Sequence, residues 1–457
     1  MENYYFVGIA GTGMSRLALL FTKLGIPVSG SDRFYPDQQN HPMLERLAMK
    51  NIPIYPQDGS GITEAVTTVV ISAAIERDNP DLKKAVSMGI PIITRSQLLA
   101  DFFDSHKGYG ITGTSGKTTI TGMVTTVLRH VNYPHTYYCG DDICDELPLK
   151  SPCLDGDDVV MIAEIDESDG SPVLYHSQSA VISNVSLDHK GLGELLDIFE
   201  KFANQCADTL VMNADCLSSM QLKTRIKDKN IVTFGIHNPA DYFAEKISLT
   251  RQGVYFECKG LSYHLRVQGL HNCYNALSAI ALLDNMGIDA QAIRDGMEKF
   301  NGMHRRLELV AKKNDIHIYD DFSHNPEKMY AALNTLKQTC MRLYLIFRPH
   351  GFGPMLMLRK KLVESICNAL SASDMIFFLD IFDAGGTADR SIHASDLVAD
   401  LQKSGMNAVY VESMETVADM IKPHITQGET VVVMGARDPY LSRFARKLAS
   451  DLLGSVE

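Results

Sequence analysis

The stretch that decides the fold runs from Gly110 to Thr121 and reads GITGTSGKTTIT. It has the form of a strand end, a turn of small residues and a helix start. Glycines in such a turn let main-chain N–H groups close around phosphate oxygens, and the helix adds the positive end of its dipole. Counting back from Gly116-Lys117-Thr118, the usual spacing G-x-x-x-x-G-K-[ST] asks for glycine at 111, where the chain has Ile111. Gly110 lies one residue early and Gly113 sits inside the turn. The expectation is a phosphate-binding loop made of Gly113, Thr114, Ser115, Gly116, Lys117, Thr118 and Thr119, set apart from the standard Walker group. Lys117 would reach the β- and γ-phosphates of ATP, and Thr118 would ligate Mg²⁺.

On either side of this loop the chain alternates strand and helix signals, the mark of a parallel α/β sheet. Upstream, YYFVGIAG (4–11), PVSGSD (27–32), TTVVISAAI (67–75) and IPIITRS (90–96) read as strands, with a helix from about Ser15 to Lys23. FFDSHKGYG (102–110) reads as a linker. Downstream, DVVMIAEIDESD (158–169) and SAVISNVSLDH (179–189) are strands that end in polar residues. VYFECKGLSYHLRVQG (254–269) alternates as antiparallel strands do, so the central sheet is expected to be mixed. NCYNALSAIALLDNMG (272–287) is a helix closed by Gly287. Beyond FNGMHRRLE (300–308), the segments IHIYDDFSH, RLYLIFRPH, DMIFFLDIF, AVYVE and TVVVMGARD each place polar residues after a strand, where parallel sheets bind ligands. The expected architecture is therefore three α/β domains: a Rossmann-like 1–106, a P-loop domain 107–301 and a Rossmann-like 302–457.

Composition sets the outer limits. At 457 residues, 45% hydrophobic and 21% charged, the chain is long enough for several cores. A net charge of -12 gives no general attraction for nucleic acid, and runs such as RLALLF are far too short to span a membrane. The opening MENYYFVGIAGTG reads as a strand entering a turn rather than a signal peptide. Nine cysteines without a C-x-x-C pair match neither a disulfide framework nor a zinc ribbon, and the expected location is the cytoplasm.

Two further segments carry chemistry. GIAGTGM sets Gly8, Gly11 and Gly13 after the first strand, with Asp32 ending the second. The spacing G-x-x-G-x-G departs from the dinucleotide fingerprint, so NAD is a weak reading and a plain tight turn is the alternative. MIAEIDESD gathers Glu164, Asp166, Glu167 and Asp169 directly after an apolar strand. Such a cluster is either a solvated acidic loop or a cation site.

Taken in order, TGTSGKTT, GIAGTGMSRLA, VSGSD, VVISAAIERDNP, AEIDESD, NVSLDH, GLHNCYNALSA, FNGMHRRLE and YDDFSHNPE resemble the Mur ligases over nearly the whole chain. Members of this family are ATP-dependent amide ligases that build the peptide of peptidoglycan, and their loop TGT(N/S/H)GKTT lacks the first Walker glycine. The resemblance is closest to the branch that adds L-alanine to UDP-N-acetylmuramate, with the muropeptide-recycling ligases. It implies that Gly11, Thr12, Gly13, Met14 and Ser15 cradle the UDP diphosphate, with Asp32 nearby. It implies Glu164 as the Mg²⁺ ligand and His189 as the ligand of a second metal ion. Lys117, Glu164, His189 and Arg306 form the implied catalytic set, in which Arg306 holds phosphate. Asn272 and Asn275 would bond adenine, although Asn272 reads equally as a helix N-cap. Asp321 would contact the ATP ribose, and His324 and His350 would face the amine substrate.

The acceptor half departs from the pattern. The alanine-adding enzymes continue with PHR(F/Y)TR, whose arginines can hold an amino-acid carboxylate. Here FRPHGFGPM puts Gly351 and Pro354 in those places, and Asn325 replaces the second His of HHPTE. Arg348, Arg359 and Lys360 are the candidate substitutes. YYCGDDICDELPLK (137–150) also differs from the GG stretch expected after the P-loop. L-alanine is the first expectation for the acceptor. Another amino acid, a muramyl peptide, or a non-catalytic UDP-sugar sensor remain alternatives.

Overall fold

The structure is a computed structural model, and it describes residues 2–35, 41–72, 74–144, 159–186, 191–383 and 389–454. The chain divides into two compact units. One comprises Met1–Ser248, Tyr255–Leu265 and His271–Phe300, and the other comprises Leu249–Val254, Arg266–Leu270 and Asn301–Glu457.

The first unit carries two sheets. β1 (Tyr4–Val7), β2 (Val28–Ser31), β3 (Ile54–Tyr55), β4 (Thr68–Ile71) and β5 (Ile92–Thr94) pair in parallel in the order 3-2-1-4-5. The order reverses at β1, so the crevice for a ligand opens where the glycine turn leaves that strand. β6 (Lys107–Thr112), β7 (His135–Tyr138), β8 (Val160–Glu164), β9 (Ser179–Ile182), β10 (Thr209–Asn213), β11 (Asn230–Gly235) and β12 (Tyr242–Phe243) follow in the order 12-11-10-9-6-8-7. β6 lies between β8 and β9, again at the reversal, and the phosphate-loop sequence leaves its carboxyl end.

Every pairing in this seven-stranded sheet is parallel. The alternating stretch expected to make it mixed instead joins a separate three-stranded sheet of β13 (Glu245–Thr250), β14 (Gly253–Cys258) and β15 (Leu261–Leu265). Two-residue links join these strands, a length that only antiparallel neighbours use. Two other expectations need correction. The presumed linker is mostly regular structure: helix Arg95–Asp104 runs to within two residues of β6. Its glycines are packing positions, because a Cβ on Gly108 would meet the Phe103 ring at 2.3 Å and one on Gly110 the Ser177 hydroxyl at 2.6 Å. The first helix begins at Thr12 rather than near Ser15.

The second unit is built on β16 (Glu308–Lys313), β17 (Ile316–Asp321), β18 (Leu343–Phe347), β19 (Met375–Phe378), β20 (Ala408–Tyr410) and β21 (Thr430–Met434), in the order 16-17-21-18-19-20. Only the edge pair β16–β17 is antiparallel. Leu343, Leu345 and Phe347 enter the core on one face, while Tyr344 and Ile346 enter that on the other. Both faces are covered, so these strands read as continuous apolar runs.

Candidate functional site

The loop after β6 has its shape imposed from several sides. Gly113 has φ +123° and Gly116 φ +88°, conformations that L side chains rarely adopt. A Cβ on Gly113 would stand 2.3 Å from the Ser183 hydroxyl, and one on Gly116 2.4 Å from Asn275 Oδ1. Between them, Thr114 Oγ1 accepts from the Ser186 N–H at 3.0 Å, and the Ser115 N–H donates to Asn184 Oδ1 at 3.0 Å. Ser183 Oγ and Asn184 Nδ2 donate to the Ser115 carbonyl at 2.6 and 3.1 Å. The residues just after β9 therefore brace the loop, a role the sequence reading did not assign to them. Helix Lys117–His130 follows with no side-chain cap, leaving its first N–H groups for a ligand.

Of the four clustered carboxylates, Asp166 and Asp169 are exposed, whereas Glu167 is buried and Glu164 half-buried. Glu164 Oε1 accepts from Thr118 Oγ1 at 2.9 Å, and its Oε2 accepts from the Gly140 N–H at 2.7 Å. Gly140 also went unassigned; a Cβ there would press on Glu164 Oε2 at 3.0 Å. Glu167, which is buried, takes Lys117 Nζ at 2.6 Å, and the same ammonium donates to the Gly113 carbonyl at 2.8 Å. Burial pushes the Glu167 carboxyl above its ordinary value, although Lys117 pulls it down. Burial would raise Asp166 too, but Lys117 and the Ser168 N–H hold it below the usual range. Asp169 pairs with Arg95 at 3.3 Å and accepts from the Ser171 N–H at 2.9 Å.

Thr118 and Glu164 thus present hard oxygen donors side by side, next to a loop whose glycines leave room for phosphate. That donor set suits Mg²⁺. Asp188 and His189 lie outside the described residues. Asn275 donates to Asn272 Oδ1 at 3.0 Å, which sets this amide pair against Gly116. Asn272 is not an N-cap, because helix Leu270–Asn285 begins two residues earlier.

At the glycine turn after β1, Gly11 and Thr12 are exposed and Gly13 is half-buried. The side chains of Met14 and Ser15 are buried. Met14 packs in the core, and the buried Ser15 donates its hydroxyl to the Thr12 carbonyl at 3.1 Å. Asp32 braces the turn by accepting from the Ala10 N–H at 2.9 Å and from the Phe34 N–H at 3.1 Å.

In the second unit, Asp321 accepts from the Leu307 and Ser323 N–H groups, both at 2.8 Å. Arg306 stacks its guanidinium 5.3 Å from the Phe322 ring centre. The rings of His324 and His350 meet edge to face at 4.9 Å. Burial lowers the proton affinity of both, that of His350 to about 4. Arg348 pairs with buried Asp438 at 2.7 Å, and Arg359 with Asp400 at 2.6 Å. The side chain of Lys360 is 90% exposed. Carboxylates thus engage Arg348 and Arg359, and Lys360 extends into solvent 3.8 Å from Glu364.

Comparisons with known proteins identify the family. Three family models match in sequence order: the Mur ligase family catalytic domain over 3–107, the Mur ligase middle domain over 111–283, and the Mur ligase glutamate ligase domain over 305–437. The UDP-N-acetylmuramate–L-alanine ligase of Dictyoglomus turgidum is 34% identical over 95% of this chain and 94% of its own length. The crystal structure of the UDP-N-acetylmuramate-alanine ligase MurC of Thermotoga maritima superposes with a TM-score of 0.80 at 25% identity, covering 98% of this chain and 99% of the other. A murein peptide ligase of Psychrobacter arcticus shares the fold, with a TM-score of 0.70 at 22% identity over the full length of both chains. With a full-length relative above 30% identity and the three family domains in order, the chain belongs to the Mur ligase family.

Proposed function

We propose that this ligase uses ATP to join an amino acid, L-alanine first among the candidates, to the carboxylate of UDP-N-acetylmuramate. The observation that carries the reading is the junction of Thr118 and Glu164 beside Lys117, in a chain whose full-length relative is named for that reaction.

A carboxylate resists attack because its negative charge repels the nucleophile and oxide is a poor leaving group. Transfer of the γ-phosphoryl group onto a carboxylate oxygen releases ADP and leaves an acyl phosphate. The amine nitrogen then attacks the carbonyl carbon, the C–O bond to phosphate breaks, and the nitrogen loses a proton as the amide forms. Gly113 and Gly116 let main-chain N–H groups approach the phosphates, and Lys117 follows the γ-phosphoryl charge as it moves. Thr118 and Glu164 would hold Mg²⁺, which supplies neutralisation of phosphate charge. His189 keeps its metal role on the resemblance alone, as Asn272, Asn275 and Asp321 keep theirs toward the nucleotide. Gly11, Thr12, Gly13, Met14 and Ser15, with Asp32 nearby, keep their role toward the UDP diphosphate, and Gly11 and Thr12 are its exposed part. His324 and His350 belong to the acceptor side, and Arg306 keeps its phosphate-holding role on the resemblance.

The proposed domain boundaries stay at 1–106, 107–301 and 302–457. A cytoplasmic setting is proposed from the substrates and from the eight described cysteines, all of them free. Among the described residues no helix is long and apolar enough to cross a membrane. Gly351 and Pro354 favour a second reading, in which the acceptor is a peptide such as L-Ala-γ-D-Glu-diaminopimelate.

The test is phosphate release from Mg-ATP with UDP-N-acetylmuramate and each amino acid or that tripeptide in turn. Release with L-alanine is the expected result. Release with the tripeptide alone selects the second reading, and no release with any acceptor overturns the ligase reading for this sugar nucleotide.

A further inference from the structure

The strands β17, β21 and β18 lie side by side, and Asp321, Met434 and Phe347 share one register row at their carboxyl ends. Three residues beyond each member of that row come His324, Arg437 and His350. The sheet thus sets two histidines and an arginine at one edge. The turn that carries Arg437 is pinned on both sides. Gly435 has φ +151°, and a Cβ on it would meet the Arg348 carbonyl at 2.7 Å. Asp438 is buried, pairs with Arg348 at 2.7 Å and accepts from the Tyr440 N–H at 2.8 Å.

Arg437 itself is exposed and makes no hydrogen bond or ion pair among the described residues. Other cations near this edge are engaged: Arg348 by Asp438, Arg305 by the Ala436 carbonyl at 3.1 Å, and Arg306 and Lys328 by partners of their own. The histidines add no charge, since burial keeps them neutral at pH 7. His350 is only 8% exposed, and its Nδ1 has no hydrogen-bond partner among the described residues. This edge therefore offers an unpaired guanidinium on a rigid base and a neutral imidazole with unused hydrogen-bonding capacity. That combination suits a small anion carrying a neighbouring polar group. A carboxylate taken from water needs a cation, and a guanidinium meets it in a two-pronged geometry that an ammonium does not reproduce.

We propose that Arg437 binds the α-carboxylate of a free amino-acid acceptor, in place of the arginines lost at Gly351 and Pro354. The proposal rests on the ligase reading above. It makes Arg437 a specificity-determining residue of the acceptor site.

The experiment is steady-state phosphate release by the full chain, R437A and R437K. Acceptors are L-alanine, glycine and L-serine, each beside its carboxamide. R437A should raise the KM of the accepted amino acid about 10- to 100-fold, the range of a charge-assisted hydrogen bond, with KM for ATP and melting temperature unchanged. It should also erase the preference for carboxylate over carboxamide, and R437K should recover part of both. An unchanged acceptor KM in R437A, or an equal loss with acid and amide, overturns this proposal and leaves the ligase reading standing. Turnover by the native chain with the tripeptide alone also overturns it. No turnover by the native chain with any acceptor overturns both.

Discussion

Around the P-loop the chain's own atoms satisfy one another. Ser183, Asn184 and Ser186 hold Thr114 and Ser115, Gly140 holds Glu164, and Glu167 holds Lys117. At the carboxyl edge of β17, β21 and β18 the main chain is as firmly held, but Arg437 and His350 Nδ1 point to nothing within the described residues. The difference follows from what each region has to do. Phosphoryl transfer demands the same fixed geometry whatever amine arrives, so its residues are locked by neighbours and none can change alone. Selection of the amine asks only that the right charge be presented. A side chain that no neighbour depends on can be exchanged without disturbing the fold. The two regions therefore tolerate change differently, although both lie beyond the carboxyl ends of parallel strands.

The sharpest way to break this comparison is Lys117→Ala. It should lower ATP-dependent phosphate release about 100- to 1000-fold, the loss typical of one donor aimed at transition-state charge. A change under threefold would show that the loop is not the reacting site.

Gly113→Ala tests the rigidity directly. With φ +123° and a Cβ 2.9 Å from the Ser183 nitrogen and the Asn184 carbonyl, main-chain atoms would have to move. It should cost about 1–3 kcal/mol of stability and most nucleotide binding. Thermal denaturation and nucleotide titration read the two losses, and a variant as stable as the native chain would contradict the bracing described.

Acid should separate the two units. His317 and His350 in the second unit, and His135 in the first, are held neutral by burial, each with its pKa lowered to about 4. Unfolded, each returns to about 6.5, so between those values the unfolded chain binds more protons. Their stabilisation is complete above pH 6.5 and is lost as pH falls toward 4, by at most about 3 kcal/mol per histidine. Hydrogen exchange at pH 7 and 5 should show β17, β18 and β21 weakening more than β6 and β7. Equal loss in both would place the acid sensitivity elsewhere.

The smallest effect belongs to Arg359→Ala combined with Lys360→Ala. Both side chains act on the outside of helix Phe352–Ala369, so stability should fall by less than about 1 kcal/mol and acceptor KM should not move. A tenfold rise in acceptor KM would put the lost arginines' work on this helix instead of on Arg437.

These contrasts also explain what could be read from the sequence. The P-loop was legible because its chemistry dictates residue types: glycine suits the backbone angles at Gly113 and Gly116, and Lys117 and Thr118 offer the ammonium and hydroxyl that phosphate and Mg²⁺ call for. The acidic segment was legible as a group, but not the division of labour within it. Which carboxylate meets Lys117 depends on how the chain bends after β8. That the side chains of Met14 and Ser15 turn into the core was not legible, because it depends on the first helix starting as early as Thr12. The glycines of 102–110 looked like a linker because sequence alone does not distinguish a glycine that frees the backbone from one that makes room for Phe103. Arg437 carries no motif, and only the register of three strands distant in sequence brings it beside the histidines.

The pair between Lys117 and Glu167 makes the loop a selective filter as well as a binding site. A ligand gains the lysine only by breaking a contact already made with a buried carboxylate, so each candidate is weighed against an internal rival. A nucleotide bringing several negative charges should outcompete that rival better than a nucleoside or a single phosphate. The same buried carboxylate stands ready to take the ammonium back when the nucleotide leaves, so the empty loop is never left with an unpaired lysine.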